Sequence, residues 1–294
     1  MKANILSTTD PDEILLSFYQ TSFRQILGVE LPTHLWPIFG SWSSFIKQTV
    51  PPSLQPKIKE QIVHYEQHIA PAVKTEPLRS FWQVRGTQPR AILDFGCGTG
   101  HTLRFLLRQF PEARGFGYEP QGNFLSPASS KFTSVDERIQ WSTNWPSIAN
   151  ASWDVLLLIH VLHHIRHPGP VLEDLYAHLP RGGILYLYED SWSDLLEGSL
   201  PDEGVSSEIA AVNYIFQTWS VAHKRKLFLR NEYWSNIWFY NRPMESWPEG
   251  YHPLERWETL VAQTGFRVIT RGVLGFNPQR LHGVPAAWLI AEKP

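Results

Sequence analysis

Cysteine is almost missing from this chain: Cys97 stands alone among 294 residues. One thiol can neither close an internal disulfide nor build a cysteine-rich metal site. Long apolar runs are missing too. The apolar run 155–159 has the length of a strand, far below the roughly 20 residues that cross a bilayer. The first ten residues lack the apolar core of a secretory signal. Neither sign of charge is in excess, with 26 Lys and Arg against 28 Asp and Glu and a formal net charge of −2. The basic residues are scattered, so no stripe favours a nucleic acid. These absences lead to the expectation of a cytoplasmic protein with neither a nucleic-acid nor a membrane partner. With 43% hydrophobic and 18% charged residues, the chain has the composition of a globular protein.

What is present centres on residues 91–100, Ala-Ile-Leu-Asp-Phe-Gly-Cys-Gly-Thr-Gly. The first five residues read as a buried strand. Gly96, Gly98 and Gly100 then fall at every second position. After them Leu103, Leu106, Leu107 and Phe110 recur at helical spacing. Strand, glycine-rich turn and helix together make the layout of a nucleotide-type site. Without a Cβ, the backbone can turn tightly and approach a ligand.

Strand and helix alternate over residues 90–190. Residues 116–120 read as a short strand ending in an acid, 138–142 as a third strand and 153–160 as a buried one. Residues 170–179 read as a helix, and Arg181-Gly-Gly turns the chain into a strand at 184–188. Residues 191–250 interrupt the pattern and are rich in aromatics. It resumes with a helix at 253–264 and strands at 266–274 and 286–292. Alternation of this kind predicts an α/β protein with a mostly parallel, doubly wound sheet covered on both faces. Residues 1–89 read as a helical N-terminal cap, 90–190 as the α/β core, 191–250 as an aromatic-rich cap insertion and 251–294 as the rest of the core. Within the caps, helices are expected at 10–19, 54–69 and 206–228, with loops at 31–39 and 193–205.

The spacing Asp94-x-Gly96-x-Gly98-x-Gly100 differs from the dinucleotide fingerprint, whose last glycine falls three residues after the second. It resembles the first motif of class I S-adenosylmethionine (SAM)-dependent methyltransferases, of small-molecule type. Tyr118-Glu119, the stretch 153–165 and Leu179-Pro-Arg-Gly-Gly-Ile-Leu resemble later segments of that family, in the same order. The resemblance covers residues 88–190 and 253–294. It implies a Rossmann-like sheet of seven strands and SAM as cofactor.

It also implies roles. Glu119 would accept both ribose hydroxyls, for which a carboxylate has two suitably splayed acceptors. Asp94 would orient the loop and the methionine end of SAM, or act as a simple loop or helix cap. Gly96 and Gly98 would turn backbone toward the cofactor, with Cys97 packed in the turn and Gly100 serving helix–strand packing. Many relatives carry an adenine-binding Asp after the third strand, and this chain has none there. Ser142, Thr143 or Asn144 could accept that bond instead, and Trp141 or Trp145 could stack on the base.

His160, His163, His164 and His167 follow the fourth strand. If this stretch were helical, His160 and His164 would share a face, but no zinc-protease pattern accompanies them. No metal is expected. His160, at the lip of the cofactor site, and His164 are candidate catalytic residues, because a neutral imidazole can take a proton near pH 7. His160 could also contact the cofactor. His163 and His167 read as solvent-facing or helix-capping. Glu189 and Asp190, placed after the fifth strand, could bind an amine or take a proton. Glu189 is the third catalytic candidate, with a solvent-exposed loop acid as the alternative.

Thirteen tryptophans are the last conspicuous feature. Trp36, Trp192, Trp234 and Trp238 fall in the cap segments and are candidate acceptor-binding residues, since an aromatic lining suits a flat or apolar molecule. The sequence therefore implies methyl transfer from SAM to an O or N atom of a small aromatic or apolar metabolite, of secondary-metabolism type. Its rivals are C-methylation, a SAM-dependent cyclase, a non-catalytic SAM-binding regulator and, more remotely, a dinucleotide oxidoreductase.

Overall fold

The computed structural model describes residues 20, 24, 28, 51–121, 136–191, 214, 217–222, 224, 250–275 and 285–294. The expected helices at 10–19 and 206–228 and the expected loops at 31–39 and 193–205 lie wholly or mostly outside them.

Seven strands form one sheet: β1 (Ala91–Phe95), β2 (Arg114–Tyr118), β3 (Ile139–Ser142), β4 (Val155–Ile159), β5 (Ile184–Asp190), β6 (Arg267–Leu274) and β7 (Ala286–Glu292). Their order is β3-β2-β1-β4-β5-β7-β6. The pairs β1–β2, β1–β4, β2–β3 and β4–β5 are parallel, and β5–β7 is antiparallel. This is the doubly wound, mostly parallel sheet expected from the alternation. Strand order reverses between β1 and β4, and open α/β sheets bind ligands at the carboxyl ends of strands beside such a switch.

Seven α-helices are described: α1 (Gln55–His64), α2 (Ala70–Lys74), α3 (Glu76–Arg85), α4 (His101–Gln109), α5 (Trp145–Ala149), α6 (Pro168–His178) and α7 (Leu254–Thr264). The helix expected over 54–69 ends as α at His64 and continues as a π turn, Tyr65–Ile69. The chain divides into two compact units. One comprises Met1–Tyr65, Ser191–Pro248 and Leu274–Pro285. The other, Glu66–Asp190 with Glu249–Val273 and Ala286–Pro294, holds the sheet.

Both sheet faces are apolar, as a covered parallel sheet requires. On one face Leu93, Leu156, Leu158, Leu185, Leu187, Leu289 and Ala291 pack with Leu172 and Leu175 of α6 and Trp257 and Val261 of α7. Each fully buried leucine contributes about 2 kcal/mol. α4 covers β1 and β2. A Cβ on Gly115 of β2 would lie 2.8 Å from Leu107 and 3.3 Å from Leu103, so α4 rides close on the sheet. The Asp154 carboxylate accepts the Ala91 N–H at 2.8 Å, pinning the start of β1 beside β4.

Candidate functional site

β1 delivers Asp94 and the glycine turn to the carboxyl edge of the sheet. Gly96, Gly98 and Gly100 have φ of 75°, 53° and 74°, the left-handed region that glycine enters without a Cβ penalty. The N–H groups of Gly96 and Cys97 both donate to the Tyr118 carbonyl, at 2.7 and 3.0 Å, which folds the turn back over the end of β2. A Cβ on Gly98 would meet nothing within 4 Å, so backbone there borders open space. A Cβ on Gly96 would come within 2.6 Å of Val161, and one on Gly100 would run into the Trp141 ring. The two outer glycines therefore serve close packing, and the middle one leaves bare backbone.

Glu119 follows β2 directly and is buried. Its Oε2 accepts the Gly98 N–H at 3.0 Å and its Oε1 the Gln121 N–H at 3.0 Å. The acid about twenty residues downstream is thus brought onto the glycine turn. Each carboxylate oxygen has a second lone pair, which leaves acceptor capacity for a diol.

Asp94 is 3% exposed. Burial pushes its carboxyl up to about 7, against the pull of nearby Lys74 and with a push from Glu119. It accepts a hydrogen bond from the Leu103 backbone in the first turn of α4. Gly100, at the N-cap position of that helix, has no side chain to cap it, so the preceding strand supplies the cap. Burial, with Asp94 and Glu119 nearby, pushes the Cys97 thiol well up. His101 opens α4, and burial beside Arg104 and Arg108 pushes its imidazole down to about 4.

After β3, the Ser142 hydroxyl accepts the Asn144 N–H at 3.0 Å and lies 2.7 Å from the Ser147 hydroxyl. It is engaged in the turn into α5. Thr143 and Asn144 are exposed, and their side chains make no hydrogen bond among the described residues. The Trp141 ring packs on Gly100 and Gly117 beneath the Arg104 guanidinium, which stands 5.2 Å from its centroid. Trp145 packs on Phe95 and Tyr118 and donates to Asp174 at 2.7 Å. Both indoles considered for adenine stacking pack against other residues and stay partly exposed.

His160 follows β4 with φ of 54°, the one positive-φ residue other than glycine among those described. Its N–H donates to the Tyr188 carbonyl at 2.8 Å, and its Nδ1 lies 3.5 Å from Asp190 Oδ1. The side chain is 24% exposed. The next residues make one 3-10 turn, Leu162–His164. His160 and His164 therefore do not share a helical face. His164 is exposed, with its ring 3.9 Å from that of His163. His167 is exposed at the N-cap position of α6 and makes no side-chain capping bond.

β5 runs two residues beyond the expected strand and includes both acids. Strand alternation sends their side chains to opposite faces. Asp190 lies with Tyr186 and Tyr188, beside His160. Glu189 lies with Leu185 and Leu187 and is fully buried, not a loop acid. Its Oε1 accepts the N–H groups of Val161 and Leu162, at 2.9 and 2.6 Å, and its Oε2 lies 2.5 Å from His163 Nδ1. The expectation of a solvent-facing or capping His163 fails here, because its side chain is 7% exposed and stacks on Tyr251. Val161, Tyr251 and Trp141 carried no sequence signal of these contacts, which join residues distant along the chain. Trp36, Trp192, Trp234 and Trp238 lie outside the described residues.

Sheet order, glycine turn and buried acid define an α/β protein of the nucleotide-cofactor class. Residues 65–271 match the family model described as "Methyltransferase domain", more than half of the chain. The chain belongs to this family and is a SAM-dependent methyltransferase. It is 25% identical over 171 residues to the thiol S-methyltransferase TMT1B of Rattus norvegicus, covering 56% of this chain and 67% of that one. It is 28% identical over 112 residues to the trans-aconitate 2-methyltransferase of Pseudomonas aeruginosa, covering 36% of this chain and 38% of that one. Among solved structures, the plantazolicin methyltransferase BpumL, in complex with a pentazolic desmethylPZN analog and SAH, aligns over 98% of this chain and all of its own. Its TM-score is 0.48 and its identity 14%. Among the described residues no helix is long and apolar enough to cross a membrane.

Proposed function

We propose that this methyltransferase acts on an O or N atom of a small, aromatic or apolar acceptor. The observation that carries the cofactor half of the reading is the Glu119 carboxylate on the Gly98 N–H, where bare backbone meets open space. These residues fit SAM. Glu119 would hold the ribose hydroxyls, Thr143 or Asn144 the adenine amine, the backbone at Gly96, Cys97 and Gly98 the body of the cofactor, and Asp94 the methionine end. Ser142 and Gly100 would shape this site without direct contact.

Bound SAM supplies a methyl group already activated by a positively charged sulfur. The chain's task is then alignment and exclusion of water, with proton removal where the acceptor needs it. His160 is the proposed proton acceptor, from its place just after β4 at the carboxyl edge of the sheet. Asp190, 3.5 Å from Nδ1, would orient the imidazole and stabilise it once protonated. Glu189 takes no proton in this scheme, since Val161, Leu162 and His163 occupy its carboxylate. His164 lies on the exposed surface of the 3-10 turn and takes no part in this scheme.

The rat relative's name specifies a thiol acceptor and the Pseudomonas relative's name trans-aconitate. Both are small acceptors, which supports that class here and puts thiols and carboxylates into the assay panel. The cap segments 1–89 and 191–250, with Trp36, Trp192, Trp234 and Trp238, are proposed to read the acceptor.

Calorimetric titration with S-adenosylhomocysteine (SAH) tests the cofactor site, and labelled-methyl transfer to phenols, amines, thiols and carboxylates tests the acceptor class. Glu119→Ala should weaken SAH binding by about 30-fold or more, the scale of charge-assisted hydrogen bonds. Unchanged affinity in that variant would remove Glu119 from the ribose.

A further inference from the structure

Glu189 is a fully buried carboxylate that the proposed chemistry leaves unused. Its three partners all lie just after β4: the N–H groups of Val161 and Leu162, and the His163 ring. Two orphan donors at the start of the 3-10 turn are thereby satisfied by one oxygen. An apolar side chain at 189 would leave both unpaired in the core. His163 is held in turn by stacking on Tyr251, with ring centroids 4.7 Å apart and planes 16° apart. A Cβ on Gly250, just before Tyr251, would overlap the His163 carbonyl oxygen, so that neighbour also closes on the turn.

The segment gripped in this way touches the cofactor turn. The two Val161 methyls would lie 2.6 and 3.0 Å from a Cβ placed on Gly96, so the isopropyl group fills the space beside the Gly96 backbone. Val161 is itself 8% exposed and has little room to retreat. On its other side the Gly96 N–H is fixed to the Tyr118 carbonyl at 2.7 Å. The first glycine therefore sits between β2 and a side chain whose backbone Glu189 holds.

We propose that Glu189 is a positioning residue for the cofactor: it clamps Val161 against Gly96 and so keeps the glycine turn in its SAM-accepting shape, with His163 as the carboxylate's second anchor. The proposal rests on reading that turn as the SAM site. It places Glu189 and its neighbour Asp190 in different tasks, one on the cofactor and one on His160, because they leave β5 on opposite faces.

The test compares wild type, Glu189→Gln, Val161→Ala and the double variant by SAH calorimetry, circular dichroism and steady-state kinetics with an acceptor that turns over. Each single variant should stay folded, bind SAH about tenfold more weakly and raise the KM for SAM while kcat changes less than about threefold. The double variant should lose little more than either single one, since both act through one contact. SAH affinity within twofold of wild type in both single variants, or additive losses in the double, overturns the proposal. So does a collapse of kcat with KM unchanged, which would make Glu189 catalytic. If Glu189→Gln does not fold, Val161→Ala decides: unchanged SAH affinity overturns the proposal and a tenfold loss supports it. Failure of the wild type to bind SAH would sink the cofactor reading itself, and the proposal with it.

Discussion

Asp94 is a carboxylate held where its charge is costly. Its folded-state pKa, pushed up to about 7 by burial, lies above the ordinary value of 3.8. The folded chain therefore binds more protons than the unfolded chain between those pH values. This contribution to stability is complete below about pH 4 and lost as pH rises through about 7. Without cofactor, the melting temperature of wild type minus that of Asp94→Asn should fall as pH is raised from 5 to 8. A flat difference would show that Asp94 is not the titrating group. The same acid is charged above pH 7, where it can face the cationic methionine amine, so SAM affinity should rise over the range in which intrinsic stability declines. His160 is a different case, since its side chain is 24% exposed and lies beside Asp190. His160→Gln should lower kcat by about 10²-fold or more with an acceptor that must lose a proton. SAH affinity should be untouched, and Asp190→Asn should reproduce part of the loss. An equal fall with an acceptor already deprotonated at assay pH would argue against a proton-transfer role.

At the scale of elements, the glycine turn is held by Val161 and Trp141, packed where side chains at 96 and 100 would go. Gly100 combines φ of 74° with an indole where a Cβ would go. Gly100→Ala should destabilise the protein by about 2 kcal/mol or more in denaturant titration, through left-handed strain and displacement of Trp141. Adding Trp141→Leu should recover part of that loss, and no recovery would locate the cost in the backbone alone. Much of this architecture was legible from sequence. The apolar runs gave β1, β4 and β5 away, and the glycine spacing with Glu119 marked the site, because those signals are local. The short helix α5 and the helix α3 were missed, and β5 was read two residues short. Its last residues, Glu189 and Asp190, look like loop acids until their partners 26 to 30 positions earlier are known. Trp141 was equally opaque: nothing in its neighbourhood announces that it lies on two glycines from other elements.

Over the whole molecule, the methyltransferase family match ends at residue 271 and begins at 65. One compact unit holds the sheet, and the other draws on Met1–Tyr65, Ser191–Pro248 and Leu274–Pro285. Under the proposed function, donor handling falls to the unit with the sheet and acceptor choice to the cap segments. Alanine at Trp192, Trp234 or Trp238 should raise the acceptor KM or change acceptor preference while leaving SAH affinity within about twofold. A parallel loss of SAH affinity would place those residues in the donor site instead. Cys97, the lone thiol of the chain, adds a practical consequence. It sits partly exposed inside the glycine turn, where burial and the nearby Asp94 and Glu119 disfavour its thiolate, so alkylation there should be slow. A donor bound on the turn should slow that labelling further, which makes the native thiol a probe of site occupancy without any engineered label.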